Sequence, residues 1–234
     1  MGTLILIIIG ISILYFLISF IKNILSSKTS SSSVEEPIVL KNLIKIGEKL
    51  ALEGQHREAI DVFSKVIENI ELELIKKPLD RIMIQRVSES NTILSYSDTG
   101  NILRYVQLYD LLGKALLSRA ILYASLNNKK EAFNDLTNLI KHGETLSACQ
   151  ELLSLNPEFF SPITFLITPK FEELKKTVAS AFRWRAGLLF EEKKYNEALE
   201  DAKKAYELGD EEAYKLKQMI DTMIEIKEEN HIEG

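Results

Sequence analysis

Three stretches of the chain superpose on one another without a gap: LIKIGEKLALEGQHREAIDVFSKVI at 43–67, LLSRAILYASLNNKKEAFNDLTNLI at 116–140 and FRWRAGLLFEEKKYNEALEDAKKAY at 182–206. In each, a small residue (Gly47, Ala120, Ala186) stands twelve positions before an Ala (Ala59, Ala132, Ala198) with an acid just ahead of it (Glu58, Glu131, Glu197). Residues four and seven beyond that Ala are large or apolar: Phe63 and Val66, Leu136 and Leu139, Ala202 and Ala205. Spacings of three and four predict helices. Polar breaks (Glu53-Gly54-Gln55, Leu126-Asn127-Asn128, Glu192-Lys193-Lys194) divide each stretch in two. Each therefore reads as a pair of antiparallel helices on a short turn. Such helices approach closely only where small side chains meet, which predicts Gly47 against Ala59, Ala120 against Ala132 and Ala186 against Ala198.

These residues resemble the tetratricopeptide repeat (TPR) family. Its pattern W-x2-L-G-x2-Y, then A-x3-F, is approached by Leu43, Ile46, Gly47, Leu50, Ala59 and Phe63. Leu116, Arg119, Ala120, Tyr123, Ala132 and Leu136 follow it again, as do Phe182, Arg185, Ala186, Leu189, Ala198 and Ala202. The closing Pro of the pattern is missing from all three. The stretches start 73 and 66 residues apart, each close to two units of about 34 residues.

The resemblance implies an all-α fold, a TPR-like helical-hairpin solenoid over residues 38–209, with clear repeats near 40–71, 113–142 and 179–208. Between them, Pro78, a short helix over Asp80–Val87 and the polar run SESNTILSYSDTG read as an insertion near 76–100. Thr145–Leu155 is expected as a separate short helix, and Asn156-Pro157 with Pro162 and Pro169 predicts an irregular segment. An amphipathic helix at 210–230 (Ala213, Leu216, Met219, Ile220, Met223, Ile226), acidic on its outer face, is expected to cap the array as terminal repeats require.

The N-terminus follows a different rule. Met1–Ile21 holds 16 apolar residues and no charged side chain before Lys22. As a helix, Leu4–Ile21 would be about 27 Å long, close to the hydrocarbon thickness of a bilayer. A single transmembrane helix over 1–22 is therefore expected. The start carries no Lys or Arg, the apolar run exceeds that of a cleaved signal, and no A-x-A site follows. Leu6 stands where myristoylation needs Ser or Thr. The span has no ionisable residue and no G-x-x-x-G, so it reads as a passive tether. Lys22 and Lys28 on its C-terminal side favour a cytosolic domain. Residues 23–37, rich in Ser, read as a flexible linker reaching about 20 Å.

The formal net charge of −5, with basic doublets dispersed among acids, argues against a nucleic-acid partner. One Cys excludes an internal disulfide. His56, His142 and His231 lie apart, with no ligand spacing for a metal and no glycine-rich phosphate loop, so neither a metal, a cofactor nor an enzyme is expected. What the TPR resemblance implies instead is a protein or peptide bound along a concave groove. The groove candidates are Lys41, Ile44, Glu48, Lys114, Ser118, Ile121, Arg183, Trp184 and Gly187. The family's carboxylate clamp for acidic chaperone tails would fall on Ile44, Glu48, Ser118, Ser180 and Trp184, none of which matches it. A chaperone tail held in that way is therefore not expected, although Lys45, Lys114 and Arg183 leave positive charge nearby.

In layout, an N-terminal span, polar linker and helical repeats, the chain is similar to the import receptors of the mitochondrial outer membrane. The expectation is a membrane-anchored adaptor or receptor facing the cytosol from the mitochondrial outer membrane or the endoplasmic reticulum, recruiting a protein, possible work in protein import included. The alternative is a non-catalytic accessory subunit of a larger complex, for example in the mitochondrial inner membrane.

Overall fold

A computed structural model describes residues 37–76, 96–154 and 157–232. The expected span, the linker up to residue 36 and the expected helix Asp80–Val87 lie outside the described residues. Among the described residues there are helices and turns and no strand, and no helix is long and apolar enough to cross a membrane.

Seven helices follow one another: α1 (Pro37–Leu52), α2 (His56–Lys76), α3 (Tyr96–Ser125), α4 (Lys129–Ser154), α5 (Pro157–Glu191), α6 (Tyr195–Glu207) and α7 (Glu212–Ile232). The chain neighbours α1 and α2, α3 and α4, and α5 and α6 pack as hairpins. Successive hairpins join because α3 also packs on α1 and α2, α5 packs on α3 and α4, and α7 closes against α5 and α6. The three expected hairpins are thus present in sequence order.

Their turns are built alike. The residues at the twelfth place of each stretch, Gly54, Asn127 and Lys193, have φ of 78°, 60° and 62°. Beyond each, an N–H reaches back over the last helical turn: Gln55 to the Leu50 carbonyl (2.9 Å), Asn128 to Tyr123 (2.8 Å) and Lys194 to Leu189 (2.9 Å). This left-handed cap satisfies carbonyls that a helix end would otherwise leave orphaned. Gly209 (φ 98°) ends α6 in the same way, with the Asp210 N–H on the Ala205 carbonyl.

The small residues are buried as expected, Ala59, Ala132, Ala186 and Ala198 completely. Gly47, however, is closest to Phe63 rather than Ala59: a Cβ built on it would stand 2.8 Å from the Phe63 ring. Phe63 is itself fully buried, so the missing side chain at 47 is the space that its ring fills.

Several boundaries are corrected. The segment expected to be irregular is the first half of α5, continuous from Pro157 through Pro162 and Pro169 to Glu191. Pro157 sits at the helix start, where a missing N–H costs nothing. Pro169 does remove a helical hydrogen bond, but Ile167, Phe171, Leu174 and Val178 bury a seam on either side of it, and packing overrides local propensity. Thr145–Leu155 is not a separate helix, since α4 runs on without a break to Ser154. Gly143 allows this, because a Cβ there would overlap Val178 of α5. The second hairpin runs beyond 113–142 at both ends, and α3 starts at Tyr96, inside the expected insertion. The capping helix shows an outer face that is not simply acidic: Met219 and Ile226 are 56% and 45% exposed.

Candidate functional site

The first helix of each hairpin presents a face with helical spacing. Lys41, Ile44 and Glu48 share one on α1, Lys114, Ser118 and Ile121 one on α3, and Trp184 and Gly187 one on α5. A cleft of about 460 Å³ lies between these helices, lined by Lys41, Ile44, Glu48 and Lys114 among others. Ser118 and Ile121 are half-buried further along α3. Trp184 is half-buried against the main core, which makes it part of the packing of α5 as well as of its surface. At Gly187 nothing lies within 4 Å of where a Cβ would stand, so the backbone there is open to contact.

Arg183 does something else. Its Nε donates to Asp210 Oδ2 at 2.8 Å and its Nη2 lies 3.0 Å from Glu212 Oε2, so it fastens α5 to the start of α7. Asp210 in turn accepts the Glu212 N–H at 3.1 Å, capping α7. Arg183 is thus committed to holding the capping helix rather than free to meet a ligand.

Three residues that the sequence did not single out, Asp110, Lys170 and Glu173, join Lys114 in setting the cleft's electrostatics. Lys114 Nζ donates to Glu173 Oε1 at 2.6 Å and to Asp110 Oδ2 at 3.3 Å, while Lys170 Nζ donates to Glu173 Oε2 at 2.8 Å and to the same Asp110 oxygen at 3.3 Å. Two lysines and two carboxylates thus close into one square. Hydrogen bonds from Lys114 and then Lys170 hold the Glu173 carboxyl well below its usual range, down to about 2. Asp110 is buried, and its Oδ1 has no donor among the described residues. The Asp110–Lys114 pair at four residues was visible in the sequence. Its union with Lys170 and Glu173 was hidden by the expectation that Pro169 lay in an irregular segment.

Between hairpins runs a second set of contacts. Arg119 and Arg185 occupy the fourth place of their stretches; each grips an Asp sixteen residues on and also donates Nη1 to a hydroxyl of the preceding hairpin, Ser64 at 2.9 Å and Thr137 at 3.3 Å. Ser64 and Thr137 hold the same place in their own stretches. The two junctions are therefore one contact used twice.

No protein-family model matches the chain, and no curated protein matches it.

The remaining chemistry is sparse. Among the described residues no three His, Cys, Asp or Glu side chains gather at metal-binding distance. His142 meets Tyr109 in a tilted contact, ring centres 5.7 Å apart and planes at 55°, and burial holds its imidazole below the usual value. A second cleft, about 520 Å³, lies among α4, α5 and α6 over Phe171, Leu174, Val178 and Phe182. It was not foreseen, because Phe171, Leu174 and Val178 lie between the segment expected to be irregular and the third repeat at 179–208, where no element was assigned.

Proposed function

We propose that this chain is a membrane-anchored adaptor of the TPR type, which holds a segment of a partner protein in the cleft between α1, α3 and α5. One observation carries the reading. Arg119 to Ser64 and Arg185 to Thr137 join successive hairpins through equivalent residues, as stacked copies of one unit would be joined. Stacked hairpins align their first helices side by side and so build an extended binding face. Along it lie the exposed Lys41 and Glu48, a half-buried Trp184 and the open backbone at Gly187, over a floor to which the buried Ile44 belongs, a mixture suited to an extended peptide. Aromatic side chains of this kind often carry most of the energy of an interface.

The apolar N-terminal run supplies the membrane anchor, and the Ser-rich linker lets the helical unit reach about 20 Å from the bilayer. With Lys22 and Lys28 following the span, the unit faces the cytosol, at the mitochondrial outer membrane or the endoplasmic reticulum.

The test is capture of partners by the full-length chain in mild detergent, comparing wild type with Lys41→Glu, at an exposed residue of the cleft, and Trp184→Ala. Proteins that bind wild type and are lost from both variants, whose helix content is unchanged by circular dichroism, support the reading. An identical set of partners on all three would sink it. Protease treatment of sealed organelles tests the orientation: complete protection of the helical unit would overturn the cytosolic assignment.

A further inference from the structure

The square of charges in the cleft bears on which partner can enter. Lys114 and Lys170 reach separate oxygens of Glu173, at 2.6 and 2.8 Å. That is the grip two lysines would give the carboxylate of a ligand. The seat is already neutral, since Asp110 and Glu173 together balance the two lysines. Asp110 cannot turn away to relieve an added negative charge, because its side chain is only 4% exposed. Glu173 by contrast is 44% exposed, at the mouth of the seat.

We infer that Glu173 is the specificity determinant of this cleft: tethered in the two-lysine seat as a ligand carboxylate would be, it turns acidic segments away and leaves the cleft to a partner segment that is neutral or basic at this point. The inference rests on the cleft being the binding surface proposed above, whose lining sets Lys41, Lys45, Lys114 and Lys170 against Glu48, Asp110 and Glu173. An entering carboxylate must displace one that is held at no translational cost.

Glu48 supplies the control. It lines the same cleft, is exposed, and makes no ion pair among the described residues. Glu173→Gln and Glu48→Gln remove the same charge from the same cleft, but only the first empties the seat of its carboxylate. Binding of fluorescent decaglutamate to the full-length chain in detergent is read by anisotropy. The expected result is affinity at least about 10-fold higher for Glu173→Gln than for wild type, with Glu48→Gln within about 2-fold. An equal gain in both variants, or none in either, overturns the assignment.

Glu173→Ala gives an independent reading, because it leaves a hole of carboxylate size. Sodium acetate at 0.5 M, a value on the order needed for a weak site, should raise its melting temperature by about 3 °C over equal sodium chloride and leave wild type unmoved. The same response in both proteins would also overturn it. Neither assay uses the natural partner. If the seat behaves as expected while Lys41→Glu and Trp184→Ala leave partner capture intact, the adaptor reading fails and the seat stands.

Discussion

Arg119 holds Asp135 with two donors on one edge of its guanidinium, Nε to Oδ2 and Nη2 to Oδ1, each at 2.7 Å. Arg185 holds Asp201 the same way, at 2.6 and 2.8 Å. Both acids are buried and both arginines nearly so. The equivalent places in the first hairpin are Ile46 and Val62, an apolar pair in the same position. The protein thus carries its own isostere of the ion pair.

Removing one member of a buried pair strands the other's charge, whereas replacing both with apolar residues is often neutral. Arg119→Ala is expected to lower unfolding stability by about 3 kcal/mol. Arg119→Ile with Asp135→Val should recover more than half of that loss, less the bond to Ser64. Urea denaturation of the two single variants and the double variant measures the coupling, and additive losses would show that the pair does not act as a unit.

Lys193 adopts φ 62° at a turn where Gly54 stands in the first hairpin. A left-handed conformation costs a side chain about 1 kcal/mol, and glycine avoids it. Lys193→Gly should therefore stabilise the protein by about 0.5–1 kcal/mol, seen as a raised thermal midpoint. Gly54→Lys should do the reverse.

Gly47→Ala tests the contact with Phe63. The added methyl gains about 1 kcal/mol in helix propensity but must fit at 2.8 Å from a fully buried ring. Overpacking of this kind costs about 1–3 kcal/mol, so a net loss of about 1 kcal/mol is expected. Phe63→Leu in the same background should return part of it, which a double-mutant cycle would read directly.

Glu173 sets a pH dependence. Its folded value of about 2 lies below the ordinary 4.5, so its pairing stabilises the fold fully above pH 4.5 and is lost as pH falls from there toward 2. With the carboxylate 44% exposed, solvent screening reduces the contribution to roughly 1 kcal/mol. Wild type should exceed Glu173→Gln in stability by that amount at pH 7, and the two should converge near pH 2. A gap that stays constant with pH would exclude this linkage.

What the sequence made legible was whatever repeats at short range. The hairpins could be read from Gly47, Ala120 and Ala186 with their partner alanines, and the turns from Gly54 and Asn127, whose residue types favour positive φ. Arg119 and Arg185 were visible as charges where the repeat pattern has Leu. Their acids sixteen residues on were legible only once each hairpin was folded back on itself. Pro162 and Pro169 misled, because local propensity says nothing of the buried seam from Ile167 to Val178 in a helix that continues without a break from Pro157 to Glu191. That error concealed Lys170 and Glu173, and with them the charges that govern the cleft. Arg183 was placed with the groove because its position was counted along the helix, while Asp210 and Glu212, which hold it, lie across a turn that counting does not cross.

The arginine that binds each hairpin to the one before it also gives the array a grammar. Every unit after the first carries a hand, and every unit before another carries a hydroxyl for that hand to take. The first unit has a hydroxyl at Ser64 and no hand, and the third has a hand at Arg185 but Lys203 where the hydroxyl would be. Its units are therefore not interchangeable words. A fourth hairpin spliced into the middle would read correctly if it carried both, whereas exchanging the first and second would leave Arg119 reaching into water and Thr137 unanswered.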